Sequence, residues 1–331
     1  MRAMVLEKPA AAETYPLHSC DLPTPQPAPG EVLLQVLACG LCRTDLHIVE
    51  GEVPLPKLPL IPGHQVVGKV IALGEQVPKE LLGRVVGVGW MAQTCGSCSY
   101  CTSTRENLCP QAQFTGLHRT GGYADFMTAR ADFTYPLPPG LSPEHAAPLL
   151  CAGIIGYRAL RLAGALEPVP VGFWGFGASA HLALQLARYK GAQVYVFTRS
   201  PQHQQHAKEL GACWAGSPED APGVELQAAV IFSPAGEQVP LALHRVAAGA
   251  TVACAGITMS DLPKMAYELL YRERRLLSVT NATRQDAQQL LQLAQEIPLR
   301  TDVEPMELRE ANTALLRVKH SQVKGALVLT P

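Results

Sequence analysis

No stretch of this 331-residue chain approaches the roughly 18 consecutive apolar residues of a membrane span, so no membrane-embedded segment is expected. An excess of charge of either sign is also missing. The chain carries 27 Lys and Arg against 28 Asp and Glu, for a net charge of -1. A protein built to hold nucleic acid or an acidic membrane wants a basic face, so neither partner is expected. No signal peptide is expected at the start, since Arg2, Glu7 and Lys8 place charge on both sides of a very short apolar run. Internal repeats, coiled-coil heptads and low-complexity tails are absent. The expectation is a cytoplasmic protein.

What is present is apolar material for a packed core. Hydrophobic residues make up 47% of the chain and charged residues 17%. At roughly 150 residues per domain, the length suggests two domains. Ten cysteines occur, at positions 20, 39, 42, 95, 98, 101, 109, 151, 213 and 254. A disulfide framework belongs to short secreted chains, whereas clustered cysteines in a reducing compartment point to metal, with zinc the first candidate.

The first 140 or so residues are rich in Pro and Gly, which punctuate β-type runs at 31–38, 65–73 and 84–88. That pattern suggests an irregular, mostly antiparallel β domain. At Leu141-Ser142-Pro143-Glu144 the character changes. Ser142 suits an N-cap and Pro143 the first helical position, so a helix running past Cys151 is predicted. From about residue 169 strands and helices alternate. Strands are expected at 169–174, 193–198, 228–232 and 251–255, with helices at 178–190 and 201–210 between them. Such alternation implies a doubly wound parallel sheet with helices on both faces. Helices at 284–296 and 308–318 and a strand at 323–329 follow.

Three constellations carry chemistry. Cys95, Cys98, Cys101 and Cys109 form C-x2-C-x2-C-x7-C, short spacings that let one loop wrap a tetrahedral zinc at about 2.3 Å per sulfur. Four thiolates leave no open position, so this zinc would be structural. The second set is scattered: Cys42, His64 and Cys151 are soft zinc ligands, but spacing does not bring them together. Taken singly, each reads as an ordinary buried residue. The third is Gly175-Phe176-Gly177-Ala178-Ser179-Ala180, between a predicted strand and helix. There Gly175 permits the tight turn, Gly177 the close approach of a pyrophosphate, and Ala180 stands in for a third glycine. The helix N-terminus, with Ala178 and Ser179, would supply amides to the phosphates. The next predicted strand ends in Thr198-Arg199-Ser200, without the acidic residue that usually holds an NAD ribose. Thr198, Arg199 and Ser200 could instead hold a 2′-phosphate, favouring NADP over NAD.

Together these residues resemble the zinc-dependent alcohol dehydrogenases of the medium-chain dehydrogenase/reductase superfamily. The resemblance spans essentially the whole chain and rests on 40–47, Pro62-Gly63-His64, the cysteine lobe, Cys151-Ala152-Gly153, the glycine turn and 323–329. It implies an α/β protein: a GroES-like, mostly β catalytic domain at 1–152 and 281–331, with a structural zinc lobe at 90–110. A Rossmann cofactor domain at 153–280 would be inserted into it, and the active site would lie in the cleft between the two. It also implies that Cys42, His64 and Cys151 bind a catalytic zinc, giving two zinc ions per chain, and that NAD(P) is the hydride carrier. By the same resemblance Thr44 would hydrogen-bond the alcohol oxygen and pass its proton, by way of the nicotinamide ribose, to His47. Asp45 would orient His64, Arg43 would face the cofactor pyrophosphate, and Val53 and Trp90 would line the substrate pocket. A homodimer or homotetramer acting on a small alcohol or aldehyde is implied as well.

Two residues depart from the family. Gln65 follows the histidine where Glu is usual, keeping an oxygen but not the charge. Ile155 stands where a Thr usually packs on the nicotinamide. Two other readings remain beside the alcohol dehydrogenase. One is a relative that binds zinc and dinucleotide with little turnover, as Gln65 and Ile155 would allow. The other is an enone or quinone reductase of the same superfamily, against which the zinc-ligand residues speak.

Overall fold

The computed structural model describes residues 1–323 and 325–331. It divides into two compact units: Met1–Cys151 with Asn281–Glu296 and Arg300–Pro331, and Ala152–Thr280 with Ile297–Leu299.

The first unit is built on a bulged β-sheet. Glu31–Leu41 is its longest strand. It pairs antiparallel with Gln65–Leu73, Phe126–Arg130 and Ala326–Thr330. Gln65–Leu73 continues to Val85–Val88 and Thr134–Pro136, while Val303–Glu307 adds a parallel edge to Ala326–Thr330. Branched residues such as Val32, Val36, Val66 and Val70 are buried along the two central strands, as the pleat demands of a core-facing side. The strands expected at 31–38, 65–73 and 84–88 thus form within three residues of their predicted ends. The expected strand at 323–329 forms as Ala326–Thr330; Lys324 lies outside the described residues.

One prediction fails. The helix expected to run from Pro143 past Cys151 lasts only four residues, Pro143–Ala146, and then tightens into a 3-10 turn, Ala147–Leu150. Pro148 has no N–H to give an α-helix and crowds the preceding turn. Cys151 then leaves helical geometry altogether, with φ −134° and ψ −72°. Ser142 occupies the N-cap position, but its side chain makes no capping bond to the helix backbone. Among the described residues no single helix is long and apolar enough to cross a membrane.

The second unit is a six-stranded parallel sheet ordered Trp214–Gly216, Gln193–Phe197, Pro170–Trp174, Leu226–Ile231, Val246–Cys254, Arg275–Ser278. Numbered along this unit the order is 3-2-1-4-5-6, the doubly wound arrangement in which ligands gather at the carboxyl ends where the order reverses. The helices Ala178–Tyr189, Pro201–Glu209 and Gln238–Arg245 are the connections between these strands, and Val239 and Leu243 of the last pack on the side of the sheet that carries Trp174 and Phe197. Burial on both faces explains the unbroken apolar strands: Ala228, Ala229, Val230 and Ile231 are all inaccessible. Trp174 stacks on Phe197 with centroids 4.2 Å apart, and Val239 and Leu243 close over them. The strands Trp214–Gly216 and Arg275–Ser278 and the helix Gln238–Arg245 have no counterpart in the sequence reading.

Candidate metal centre and nucleotide-binding turn

Cys42 directly follows the longest strand and opens the helix Arg43–Glu50 from an extended N-cap geometry. Its backbone N–H donates to Oδ2 of Asp45 at 2.9 Å, while the Thr44 N–H points at its Sγ from 3.4 Å. This is a capping box with sulfur in the place of a hydroxyl, and the positive helix end favours a thiolate there. His64 is delivered by Gly63, whose φ of +96° and contact with the Tyr123 ring exclude a side chain. Cys151 is delivered by the break after Leu150. The ligand atoms of Cys42, His64 and Cys151, scattered over the sequence, lie within 4.8 Å of one another, and Cys42 Sγ is 3.5 Å from His64 Nε2.

The charges of this set complement one another. Oδ1 of Asp45 accepts from Nδ1 of His64 at 3.1 Å, both side chains being fully buried. That bond fixes the ring and leaves Nε2 facing the sulfurs. A hydrogen bond from Cys151, with support from His64 and Thr44, holds the Cys42 thiol well below its ordinary range despite burial. The same bond, together with burial, pushes Cys151 well above it. Burial alone would lower the His64 pKa, but Asp45 and then Cys42 outweigh it and raise it to about 10. Burial raises the Asp45 carboxyl, with His64 opposing. Two thiolates, an oriented imidazole and a buried carboxylate behind it are a donor set that fits Zn²⁺.

Several expected residues surround this set. Thr44 is buried directly beside Cys42 in the first helical turn. His47 lies one turn on, and its Nδ1 meets the carboxylate of Glu52. Gly51 makes that contact possible: its φ of +76° turns the chain back so that the Glu52 N–H also donates to the His47 carbonyl at 2.9 Å. Trp90 packs against His64 with ring centroids 5.0 Å apart at 76°. Val53 is half-buried on the same core cluster as Trp90. Gln65 is buried over Gly40, and its Nε2 has no hydrogen-bond partner among the described residues. Arg43 is exposed and reaches Ser321 Oγ at 3.2 Å. Ile155 is half-buried in the helix Ala152–Ala163 of the second unit.

The cysteine lobe assembles from one loop. Sulfur–sulfur distances are 3.8 Å for Cys95–Cys101, 3.6 Å for Cys98–Cys101 and 3.6 Å for Cys109–Cys95. A tetrahedron with metal–sulfur bonds of about 2.3 Å has edges of about 3.8 Å, whereas a disulfide would need about 2.05 Å. All four thiols converge within 4.8 Å. Amides of Ser97 and Cys98 stabilise the Cys95 thiolate, bringing its pKa to about 6, while burial raises Cys109 to about 11. This set also fits zinc.

In the second unit the glycine turn sits at the strand-order reversal. Gly175 has φ +88°, and a Cβ there would meet the Ser233 backbone nitrogen at 3.0 Å. Gly177 is the N-cap of the helix Ala178–Tyr189, with no side chain capping it and open space where its Cβ would be. The first-turn amides, including those of Ala178 and Ser179, therefore have neither an intrahelical acceptor nor a cap, an arrangement that fits a pyrophosphate. Ala180 is fully buried. Thr198 is buried at the end of the neighbouring strand, and Arg199 is exposed beyond it. The Ser200 hydroxyl is already engaged, accepting from the His203 N–H at 3.3 Å as cap of the helix Pro201–Glu209.

Comparison with known proteins follows these sites along the chain. Residues 28–139 match the family described as alcohol dehydrogenase GroES-like domain, and residues 180–296 the one described as zinc-binding dehydrogenase. The chain is 41% identical to the "Probable alcohol dehydrogenase AdhA" of Mycobacterium tuberculosis (strain CDC 1551 / Oshkosh), over 99% of this chain and 97% of that one. Among solved structures, a cinnamyl alcohol dehydrogenase of Sorghum bicolor superposes with a TM-score of 0.90 at 28% identity, covering 99% of this chain and 97% of the other. The acetophenone reductase of Geotrichum candidum, solved with NAD, gives a TM-score of 0.88 at 28% identity, covering 100% and 97%.

Proposed function

The chain belongs to the zinc-dependent alcohol dehydrogenases of the medium-chain dehydrogenase/reductase superfamily, and from that premise we propose how its own residues divide the work. It is an oxidoreductase that interconverts small alcohols with aldehydes or ketones. The supporting observation is the convergence of Cys42, His64 and Cys151 beside Thr44, with Asp45 behind the imidazole.

When bound, zinc supplies the Lewis acidity that lowers the pKa of an alcohol, and the nicotinamide supplies the hydride acceptor. Cys42, His64 and Cys151 hold the metal while Asp45 keeps His64 in its ligating orientation. The Thr44 hydroxyl accepts a hydrogen bond from the substrate hydroxyl and steers its proton away. His47, on the next turn of the same helix and only 12% exposed, carries that proton onward to solvent. Val53 and Trp90 form the substrate wall. The four-cysteine lobe holds a second, structural zinc.

For the cofactor, Gly175, Gly177 and the amides of Ala178 and Ser179 receive the pyrophosphate, with Arg43 as a further anion partner and Ile155 against the nicotinamide. NADP is favoured over NAD because no acid follows the Gln193–Phe197 strand and exposed Arg199 does. Thr198 adds a hydroxyl; Ser200, occupied as a helix cap, contributes less. Metal analysis of the purified protein should find two zinc ions per chain, one for each ligand set. Zinc-loaded enzyme should oxidise NADPH with aliphatic or aromatic aldehydes. Absence of turnover with both NADPH and NADH across such a panel would overturn the assignment of these roles.

A further inference from the structure

The Trp90 indole touches three partners. Its ring stacks on Phe114, with centroids 4.8 Å apart and planes 10° from parallel, and meets the His64 ring at 5.0 Å. Its Nε1 donates to Oδ1 of Asn281 at 3.1 Å. A stacked neighbour fixes the plane of a ring but leaves it free to turn within that plane. The directional N–H···O bond removes that freedom.

Asn281 is itself held. Its backbone is left-handed, with φ +50°, a conformation that Asn tolerates better than most residues. Its Nδ2 donates to the Asn107 carbonyl at 3.3 Å. Asn107 belongs to the turn Glu106–Leu108, immediately before Cys109 of the cysteine lobe. Nearby, the Arg284 N–H donates to Oε1 of Glu106 at 2.8 Å, and the Glu106 side chain is buried. The segment 281–284 is thus fastened at two adjacent lobe residues, and from there the Asn281 amide reaches Trp90.

We propose that Asn281 is a specificity-determining positioning residue: it clamps Trp90 against the metal ligand His64 and so sets how wide a substrate that wall admits. The inference rests on the reading of Trp90 as part of the substrate wall. Asn281 touches no reacting atom on this account and acts only through the indole.

The test compares wild type with Asn281→Gly, which keeps the left-handed backbone cheap and removes both side-chain bonds, and with Asn281→Asp, which keeps the acceptor for Trp90 but loses the donor to Asn107. Trp90→Ala, Trp90→Phe and Trp90→Phe/Asn281→Gly complete the set. Asn281→Gly should raise the kcat/KM ratio of branched or aromatic over linear alcohols by about 5- to 10-fold, mainly through KM, with Asn281→Asp between it and wild type. In the Trp90→Phe background, which has no N–H to clamp, Asn281→Gly should add nothing. The Trp90 fluorescence, isolated as wild type minus Trp90→Phe, should become more accessible to acrylamide when Asn281 is Gly. An unchanged selectivity in Trp90→Ala would remove the wall reading and this inference with it. A shift in Trp90→Ala without one in Asn281→Gly, or an equal Asn281→Gly effect in the Trp90→Phe background, would overturn the inference alone.

Discussion

Nδ1 of His64 lies 3.1 Å from Oδ1 of Asp45, and neither side chain reaches solvent. The same carboxylate accepts from the Cys42 N–H through its other oxygen. One buried side chain therefore holds two members of the Cys42, His64 and Cys151 set in register. Asp45→Ala should weaken zinc binding at that set by about 10- to 100-fold, measured by competition with a calibrated chelator. Wild-type affinity in the variant would leave Asp45 without the orienting role.

The two ligand sets share no residue and should fail differently. If the lobe holds zinc as proposed, Cys98→Ser opens a closed site whose metal would contribute folding energy, so the thermal midpoint should fall by about 5 °C or more. Cys42→Ser should instead cut kcat by at least about 100-fold with a smaller change in melting. Near-normal turnover in Cys42→Ser would mean that the reaction does not use this metal.

Cofactor choice turns on the end of the Gln193–Phe197 strand. Thr198 is buried there, its N–H bonded to the Gly216 carbonyl at 2.8 Å, so a side chain at 198 is firmly placed. Thr198→Asp should move the NADH-to-NADPH ratio of kcat/KM toward NADH by about 100-fold, through repulsion of a 2′-phosphate. A wild-type enzyme that already prefers NADH would remove the basis for this expectation.

Lys319 ties the start of the chain to its end, bonding Glu13 at 2.8 Å and Glu50 at 2.7 Å. Those bonds lower the Glu13 carboxyl directly. At Glu50, burial pushes the other way but is outweighed by Lys319 and the Ala12 N–H. Depressed carboxylates stabilise the fold above their ordinary value of 4.5, and that stability is lost as pH falls through the lower folded values. The Lys319 ammonium is raised by Glu13 and then Glu50, so its share persists up to its ordinary 10.5 and fades beyond. Lys319→Met should therefore lower the melting midpoint by about 1–2 °C at pH 7, and the penalty should shrink as the pH falls below 4.5 toward 3. An equal penalty at both pH values would point to packing of the Lys319 stem rather than charge.

Local signals were readable in the sequence and long-range ones were not. The cysteine lobe and the glycine turn each occupy one short segment, so their spacing already carries their geometry. Cys42, His64 and Cys151 meet only because strand register sets Gly40 opposite Gln65 and because Pro148 breaks the helix that periodicity extends through Cys151. The strands Trp214–Gly216 and Arg275–Ser278 are three and four residues long, too short for any period to register. Asn281 is 191 positions from Trp90, and nothing around it marks it as a hydrogen-bond partner. Glu52 had a local clue in the glycine before it, since a left-handed residue after a helix folds the next side chain back over the last turn.

The sheet of the first unit also orders events in time. Cys39, Gly40 and Leu41 have their partners in Ala326–Thr330, so one side of that strand end stays unpaired until almost the whole chain has been made. At about 5–20 residues per second, synthesis from residue 41 to 327 takes roughly 15–60 s. The inserted parallel-sheet unit, nearly complete by Thr280, is ready to fold while the first unit still shows a bare strand edge beside Cys42. On the ribosome, the unit whose synthesis starts first is the last to close.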